Sequence, residues 1–470
     1  MDTLPPELIS RIVPYLIEET RLNHDVMERL PVTSLAVYAV ISRRWQHIVE
    51  TITFRYLHLS PTRLAIAEAN NHLTPTRLGY VRRIWFYFEF PAHDHAVSTD
   101  PDDDNDQCVF NKTTRQLFGV LLRIPVKLNP SVALHLIILT DNNPSDSDDI
   151  QDTEEWKIFT GKDRTTYLQL SPDWDSDISE LPAISYLRTE LSSKRVLFSP
   201  HSINLISSKM NRLEAVEWEL SDAEKIDPDL RIRQRTSFAQ TLERIPNSLK
   251  SFKLKYVREP PRNQYFRPPS IIPPNSPGDI LSQALFDFTQ RDGLCDFELD
   301  ASVDSTLFWP QTQDFNEKWC WPTLTNMYVE LHDVLPSGQW ITVALDPGQE
   351  DSESPNGYES DEWENEIPGE ETERSFSSVC DQGLMNQFAL AAGKSVSHMR
   401  NIKWLFISQY GGSGMGIEFT RYKDKESTLE LNRIDDVGNP MEPGFNDEAL
   451  NAWSEAMKAQ NLEWKIEKNE

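Results

Sequence analysis

One spacing recurs along most of this chain and limits what it can fold into. A first, usually apolar residue is followed by two spacers and then by three apolar residues at alternate positions. It reads Val81-x-x-Ile84-x-Phe86-x-Phe88, Leu213-x-x-Val216-x-Trp218-x-Leu220 and Leu249-x-x-Phe252-x-Leu254-x-Tyr256. It continues as Leu294-x-x-Phe297-x-Leu299-x-Ala301 and Leu324-x-x-Met327-x-Val329-x-Leu331. Met399-x-x-Ile402-x-Trp404-x-Phe406 and Ala459-x-x-Leu462-x-Trp464-x-Ile466 complete the series. Ser131-x-x-Leu134-x-Leu136-x-Ile138 is a weaker copy, and Leu168-x-Leu170 a fragment. Period-two alternation puts the apolar residues of each copy on one buried face of a strand.

Helical patterns precede most copies, over 202–210, 238–245, 280–289, 387–392 and 447–459. A strand-after-helix unit used this often predicts stacked α/β repeats, since one unit cannot bury its apolar face alone. The spelling resembles a leucine-rich repeat, which implies a solenoid with a parallel sheet on the concave side and helices on the convex side. The copies are unevenly spaced, and the Asn or Cys that usually closes such a repeat is missing. The resemblance therefore implies an irregular, degenerate solenoid with loop insertions. A doubly wound α/β domain shows the same alternation of elements and stays open as the alternative. Around 411–431, a Gly-rich turn lies between alternating segments and lacks the Lys-Ser/Thr of a phosphate loop, so it predicts a small antiparallel hairpin.

The first fifty residues are of another kind. Leu4, Leu8, Ile12 and Leu16 recur every four residues and line one stripe of a helix. Pro5 and Pro6 suit a helix start, and Pro14 predicts an end or kink. Leu35, Tyr38, Ile41, Trp45 and Ile48 make a second amphipathic stretch. Helices this short cannot close a core alone, so their apolar face needs a partner or the rest of the chain. Leu4-Pro5-x-Glu7-Leu8 with Ser42-Arg43-Arg44-Trp45 downstream resembles an F-box, the module that docks on the Skp-type adaptor of cullin–RING ubiquitin ligases. The stretch from Leu16 to Trp45 is longer than that family's, the excess lying in Glu18 to Pro31. By resemblance the adaptor-facing residues are Leu4, Pro5, Leu8, Ile12, Leu16, Leu35, Val40 and Trp45, with Leu16 in question because of the kink. Without the resemblance, the same residues read as a helical hairpin capping the next domain.

The net charge of −28 is concentrated in three runs. Residues 100–106 hold five acids, 141–155 seven and 346–373 twelve, all without Lys or Arg, so the body outside them is nearly neutral. Such runs predict solvated loops, and a body without surplus cation is a poor nucleic-acid binder. No apolar run approaches a membrane span, and no signal pattern opens the chain. Cys108, Cys295, Cys320 and Cys380 are scattered and read as reduced thiols, placing the protein in the cytoplasm, the nucleus or both. His93-Asp94-His95 lacks further ligands at metal spacing, and no nucleophile elbow, zinc helix or P-loop occurs. Pro260 to Pro277 predicts a semi-rigid loop or an extended ligand for an aromatic groove.

The expected organisation is a three-helix F-box over 1–55 followed by a leucine-rich-repeat-like α/β solenoid over 56–470. Acidic inserts are expected near 97–108, 141–156 and 346–374, with a Pro-rich loop at 258–278. The chain resembles F-box proteins of filamentous fungi. That implies a substrate-recognition subunit of a Skp–cullin–F-box ligase with no catalytic residue, cofactor or metal of its own. Its partners would be the adaptor, through it a cullin, and a protein substrate. A scaffold acting outside ubiquitination and an α/β enzyme are the alternatives. If the strands line a concave sheet, the spacer positions face the substrate: Trp85, Tyr87, Glu217, Glu219, Lys253, Lys255, Glu298, Asp300, Tyr328 and Glu330. Their sign changes from repeat to repeat, which favours a partner of alternating charge.

Overall fold

Strand order in the sheet follows chain order without a reversal. The computed structural model describes residues 4–16, 35–90, 103–127, 131–139, 166–191, 196–225, 227–310, 319–343, 367–369, 380–409, 415–421, 426–433 and 445–467. Its strands are β1 (Tyr56–Leu59), β2 (Arg83–Glu89), β3 (Val132–Leu139), β4 (Thr166–Leu168), β5 (Ile184–Glu190), β6 (Val196–Phe198) and β7 (Ala215–Ser221). The others are β8 (Ser251–Val257), β9 (Asp296–Ala301), β10 (Asn326–Leu331), β11 (Trp404–Gln409), β12 (Met415–Arg421), β13 (Glu426–Arg433) and β14 (Glu463–Glu467). Twelve of them form one mixed, mostly parallel sheet, while β4 and β6 pair on their own. Among the described strands of the sheet, only β11–β12 and β12–β13 pair antiparallel, so the hairpin expected near 411–431 is present.

Parallel strands laid down in one direction with crossovers of one hand send their connections over one face. A doubly wound sheet covers both faces by reversing its strand order part-way. Here α4 (Pro61–Ala69), α6 (Asp103–Leu121), α8 (Pro200–Ser208), α9 (Pro228–Thr241), α10 (Ile280–Thr289), α11 (Gln382–Val396) and α12 (Asp447–Ala459) lie between successive strands. They share one core with the inward strand residues, which joins Phe88 to Phe110 and Phe198, Phe252 to Phe288, and Tyr256 to Phe238. Short turns of helix, α5 (Pro75–Leu78) and α7 (Trp174–Asp177), complete the connections. Ser60, Thr74, Asp227, Asp279, Asp381 and Asn446 cap helix starts by accepting from backbone N–H groups that have no intrahelical acceptor. Where Pro61, Pro75 and Pro228 come directly after such a cap, no donor is lost.

The N-terminal segment makes its own small cluster. It comprises α1 (Pro6–Ile12), a 3-10 turn over Val13–Leu16, α2 (Ala36–Ala39) and α3 (Arg43–Thr53). The regular helix stops before Pro14, as that residue predicts. Ile9, Val13, Leu35, Trp45, Ile48 and Val49 are buried together.

Several expectations need correction. The sheet begins ahead of the first copy of the pattern, because β1 is its first strand and pairs with β2. The acidic insert expected over 97–108 cannot run that far. Asp103 already begins α6, and Asp106 is buried. The copy read as Met399-x-x-Ile402-x-Trp404-x-Phe406 has the wrong parity. Asn326 pairs with Trp404 and Met327 with Leu405, so Leu405 and Ile407 are buried and Trp404 and Phe406 face the other side. The position matching Leu324 is Ile402. β5 escaped the pattern because one step on β3, Val132 to Ala133, spans two on β5, Ile184 to Tyr186. This bulge shifts the buried positions to Leu187 and Thr189. His93 to His95 and most of the acidic runs lie outside the described residues.

Candidate functional site

The face of the sheet opposite the helices carries the polar and aromatic side chains of the strands. Strand parity places all ten sequence-derived spacer residues on it. Residues of one rung pair in register across the sheet: His58, Trp85, His135, Arg188, Glu217, Lys253, Glu298, Tyr328, Phe406 and Glu418. The next rung carries Tyr87 and Glu190 at one side and Glu219, Lys255, Asp300 and Glu330 further on. None of the ten is fully buried, in contrast to their apolar neighbours on the same strands.

The rung has three chemical zones. At the β1–β5 end, the His58 ring stacks on Trp85 at 4.5 Å and its Nδ1 lies 3.0 Å from the Tyr87 hydroxyl. His135 sits between Trp85 and Tyr186, at 5.3 Å and 5.6 Å. Arg83 lies over the Trp85 ring at 5.2 Å. Burial, with help from Arg83 and Arg188, pushes His135 down to about 3, so it is neutral near pH 7. The middle zone alternates in sign. Arg188 lies 3.2 Å from Glu190 and 3.7 Å from Glu217, and Lys253 lies 2.7 Å from Glu298. The Tyr186 hydroxyl donates to Glu217 at 2.6 Å. The Glu298 hydrogen bond raises the Lys253 pKa, while burial and then Asp300 raise that of Glu330. At the β10–β12 end, Tyr328, Trp404 and Phe406 stack with centroids 5.5–6.0 Å apart, and Trp404 Nε1 donates to Glu418.

Sequence reasoning missed His58, His135, Tyr186, Arg188, Trp404, Phe406 and Glu418. The β11 residues were legible once Ile402 is taken as the first position of the copy. The β5 residues were hidden by the bulge, which no spacing rule anticipates.

The N-terminal residues divide into two sets. Leu35 and Trp45 are buried in the small cluster, and Leu4 and Leu16 pack partly against it. Pro5, Leu8, Ile12 and Val40 are exposed, Leu8 at 45% and Val40 at 85%. Tyr15, Val37 and Ile41 are exposed as well. The cluster is tied to the connection between β1 and β2 by Arg77 with Glu50 at 2.7 Å and by the Tyr80 hydroxyl with His47 at 2.8 Å.

Among the described residues, no three His, Cys, Asp or Glu side chains gather as metal ligands, and no helix is long and apolar enough to cross a membrane. Compared with known proteins, the chain matches no family model and no curated protein.

Proposed function

We propose that this protein is the substrate-recognition subunit of a Skp–cullin–F-box type ubiquitin ligase. The N-terminal helices dock on the adaptor, and the open face of a leucine-rich-repeat-like solenoid holds a protein substrate. The observation that carries the reading is the split within the first fifty residues. Ile9, Val13, Leu35 and Trp45 hold the helices together, while Pro5, Leu8, Ile12 and Val40 stay exposed. Covering an exposed Leu or Ile contributes about 1.5–3 kcal/mol, so a few such residues make an anchor.

The solenoid part of the reading is supported by the unreversed strand order and by the side-chain parity of the sheet. An aromatic zone at each end and alternating charge between them suit an extended peptide with apolar ends and a charged middle. Catalysis in such an assembly is proximity: the receptor raises the effective concentration of a substrate lysine near the conjugating enzyme. The test is co-purification of the tagged full-length chain with a purified Skp-type adaptor and cullin. Recovery of both supports the reading; recovery of neither sinks it.

A further inference from the structure

Beyond the C-terminal ends of β7 and β8 lies a partly open cavity of about 130 Å³. Phe266, Pro268, Pro269 and Ile271 of the Pro-rich loop form one wall, and Ile367 and Pro368 belong to the lining as well. The loop is held in place. Trp340 Nε1 donates to the Phe266 carbonyl at 2.8 Å, the Ile271 N–H to the Pro336 carbonyl at 2.9 Å, and the Asn263 N–H to the Gly369 carbonyl at 2.9 Å. Gly338, at φ 75°, passes so close that an added Cβ would lie 1.9 Å from the Pro268 carbonyl oxygen. The cavity is therefore preformed, which lowers the entropic cost of filling it.

Three cations, Lys225, Arg231 and Arg258, and two carboxylates, Glu224 and Glu259, line this space. Arg231 is satisfied by Asp222, at 3.0 Å and 2.7 Å, and Lys225 pairs with Glu259 at 3.8 Å. Arg258, the first residue after β8, has no hydrogen bond or ion pair among the described residues. Burial and then Arg231 push its pKa down to about 9 against the opposing pull of Asp222, and the side chain keeps some solvent exposure.

We propose that this cavity binds the C-terminal residue of a peptide, its carboxylate on the Arg258 guanidinium and its aliphatic side chain against the Phe266 and Ile271 wall. A guanidinium presents a planar fork that matches a carboxylate. The apolar wall gives nothing to a hydrated inorganic anion, and the volume falls short of the 300–1,000 Å³ or so of drug- and cofactor-sized pockets. That the carboxylate belongs to a protein end rests on the substrate-receptor reading; the carboxylate site itself does not.

The test is calorimetry on the intact chain with N-acetyl-leucine, N-acetyl-leucinamide and inorganic phosphate. The free acid is expected to bind and the amide to bind roughly tenfold or more weakly, as for loss of a charged hydrogen bond. Arg258→Gln is expected to lose the same factor with little change in melting temperature, because the attraction to Asp222 that it removes is offset by the repulsion from Arg231 and Arg235. Equal binding of acid and amide, phosphate binding in place of the acid, no binding at all, or an Arg258→Gln chain that binds like the wild type would each overturn the proposal. The acid–amide comparison needs no variant, so a folding defect cannot blur it. Adaptor binding measured on the same Arg258→Gln sample keeps failure of this site distinct from failure of the ligase reading.

Discussion

Leu8 and Ile9 are neighbours in one helix and lie in opposite environments. Ile9 is 1% exposed inside the N-terminal cluster and Leu8 is 45% exposed outside it. Their substitution should separate folding from docking. Ile9→Ala removes a buried side chain and is expected to cost about 2–5 kcal/mol of stability in the N-terminal helices, read by denaturant unfolding. Leu8→Ala should leave unfolding unchanged and weaken adaptor binding.

The Lys253–Glu298 pair on the open face makes a different prediction. Both side chains are about half exposed, so the pair contributes no more than about 1 kcal/mol to stability. Reversing Lys253 and Lys255 to Glu should weaken substrate capture but also sets carboxylates opposite Glu217, Glu298, Glu219 and Asp300. Lys253→Gln with Lys255→Gln is therefore the variant expected to weaken capture with a nearly unchanged melting temperature. Unaltered capture would point to another face.

The network of Arg235 with Asp222 and Asp279 is buried, with contacts at 2.8 Å and 2.7 Å. Burial alone would raise the Asp222 pKa, but Arg231 and Arg235 outweigh it and hold the group down to about 2. Its folded value is thus below its unfolded value near 3.9. The stabilisation is present above that value and is lost as pH falls from about 4 towards 2. Arg235→Met, which leaves two buried carboxylates short of a partner, should cost about 3–5 kcal/mol in equilibrium unfolding.

His135 gives a second pH dependence. Its folded value of about 3 lies below the ordinary 6.5 or so, so the unfolded chain takes up a proton that the folded chain refuses. Stability should fall as pH drops from about 6.5 towards 3, by up to about 1.4 kcal/mol per pH unit. His135→Phe should flatten that slope between pH 6.5 and 4, as followed by thermal unfolding.

Much of this architecture is legible in the residues because alternation at period two is a direct record of one buried sheet face. Ile84, Phe86 and Phe88, or Phe252, Leu254 and Tyr256, announce their strands, and 280–289 and 447–459 match α10 and α12. Parity also selects the open-face residues from Trp85 to Glu330. It failed where the backbone departs from simple alternation. The bulge in β5 hid Tyr186 and Arg188, and a three-residue slip in the starting position sent Trp404 and Phe406 to the wrong side. The division of the N-terminal stripe escaped it too. Three short helices share that small cluster, and only their packing decides that Ile9 and Val13 turn inward while Leu8 and Ile12 turn out. The Arg258 cavity depends on a loop fold that composition does not encode.

The most direct measurement is the affinity of the full-length chain for a purified Skp-type adaptor, beside the Leu8→Asp/Ile12→Asp double variant. Tight binding is expected for the wild type and its loss for the variant, with the same melting temperature in both. Equal binding by the two chains, or none by the wild type, would contradict the docking role of the N-terminal helices.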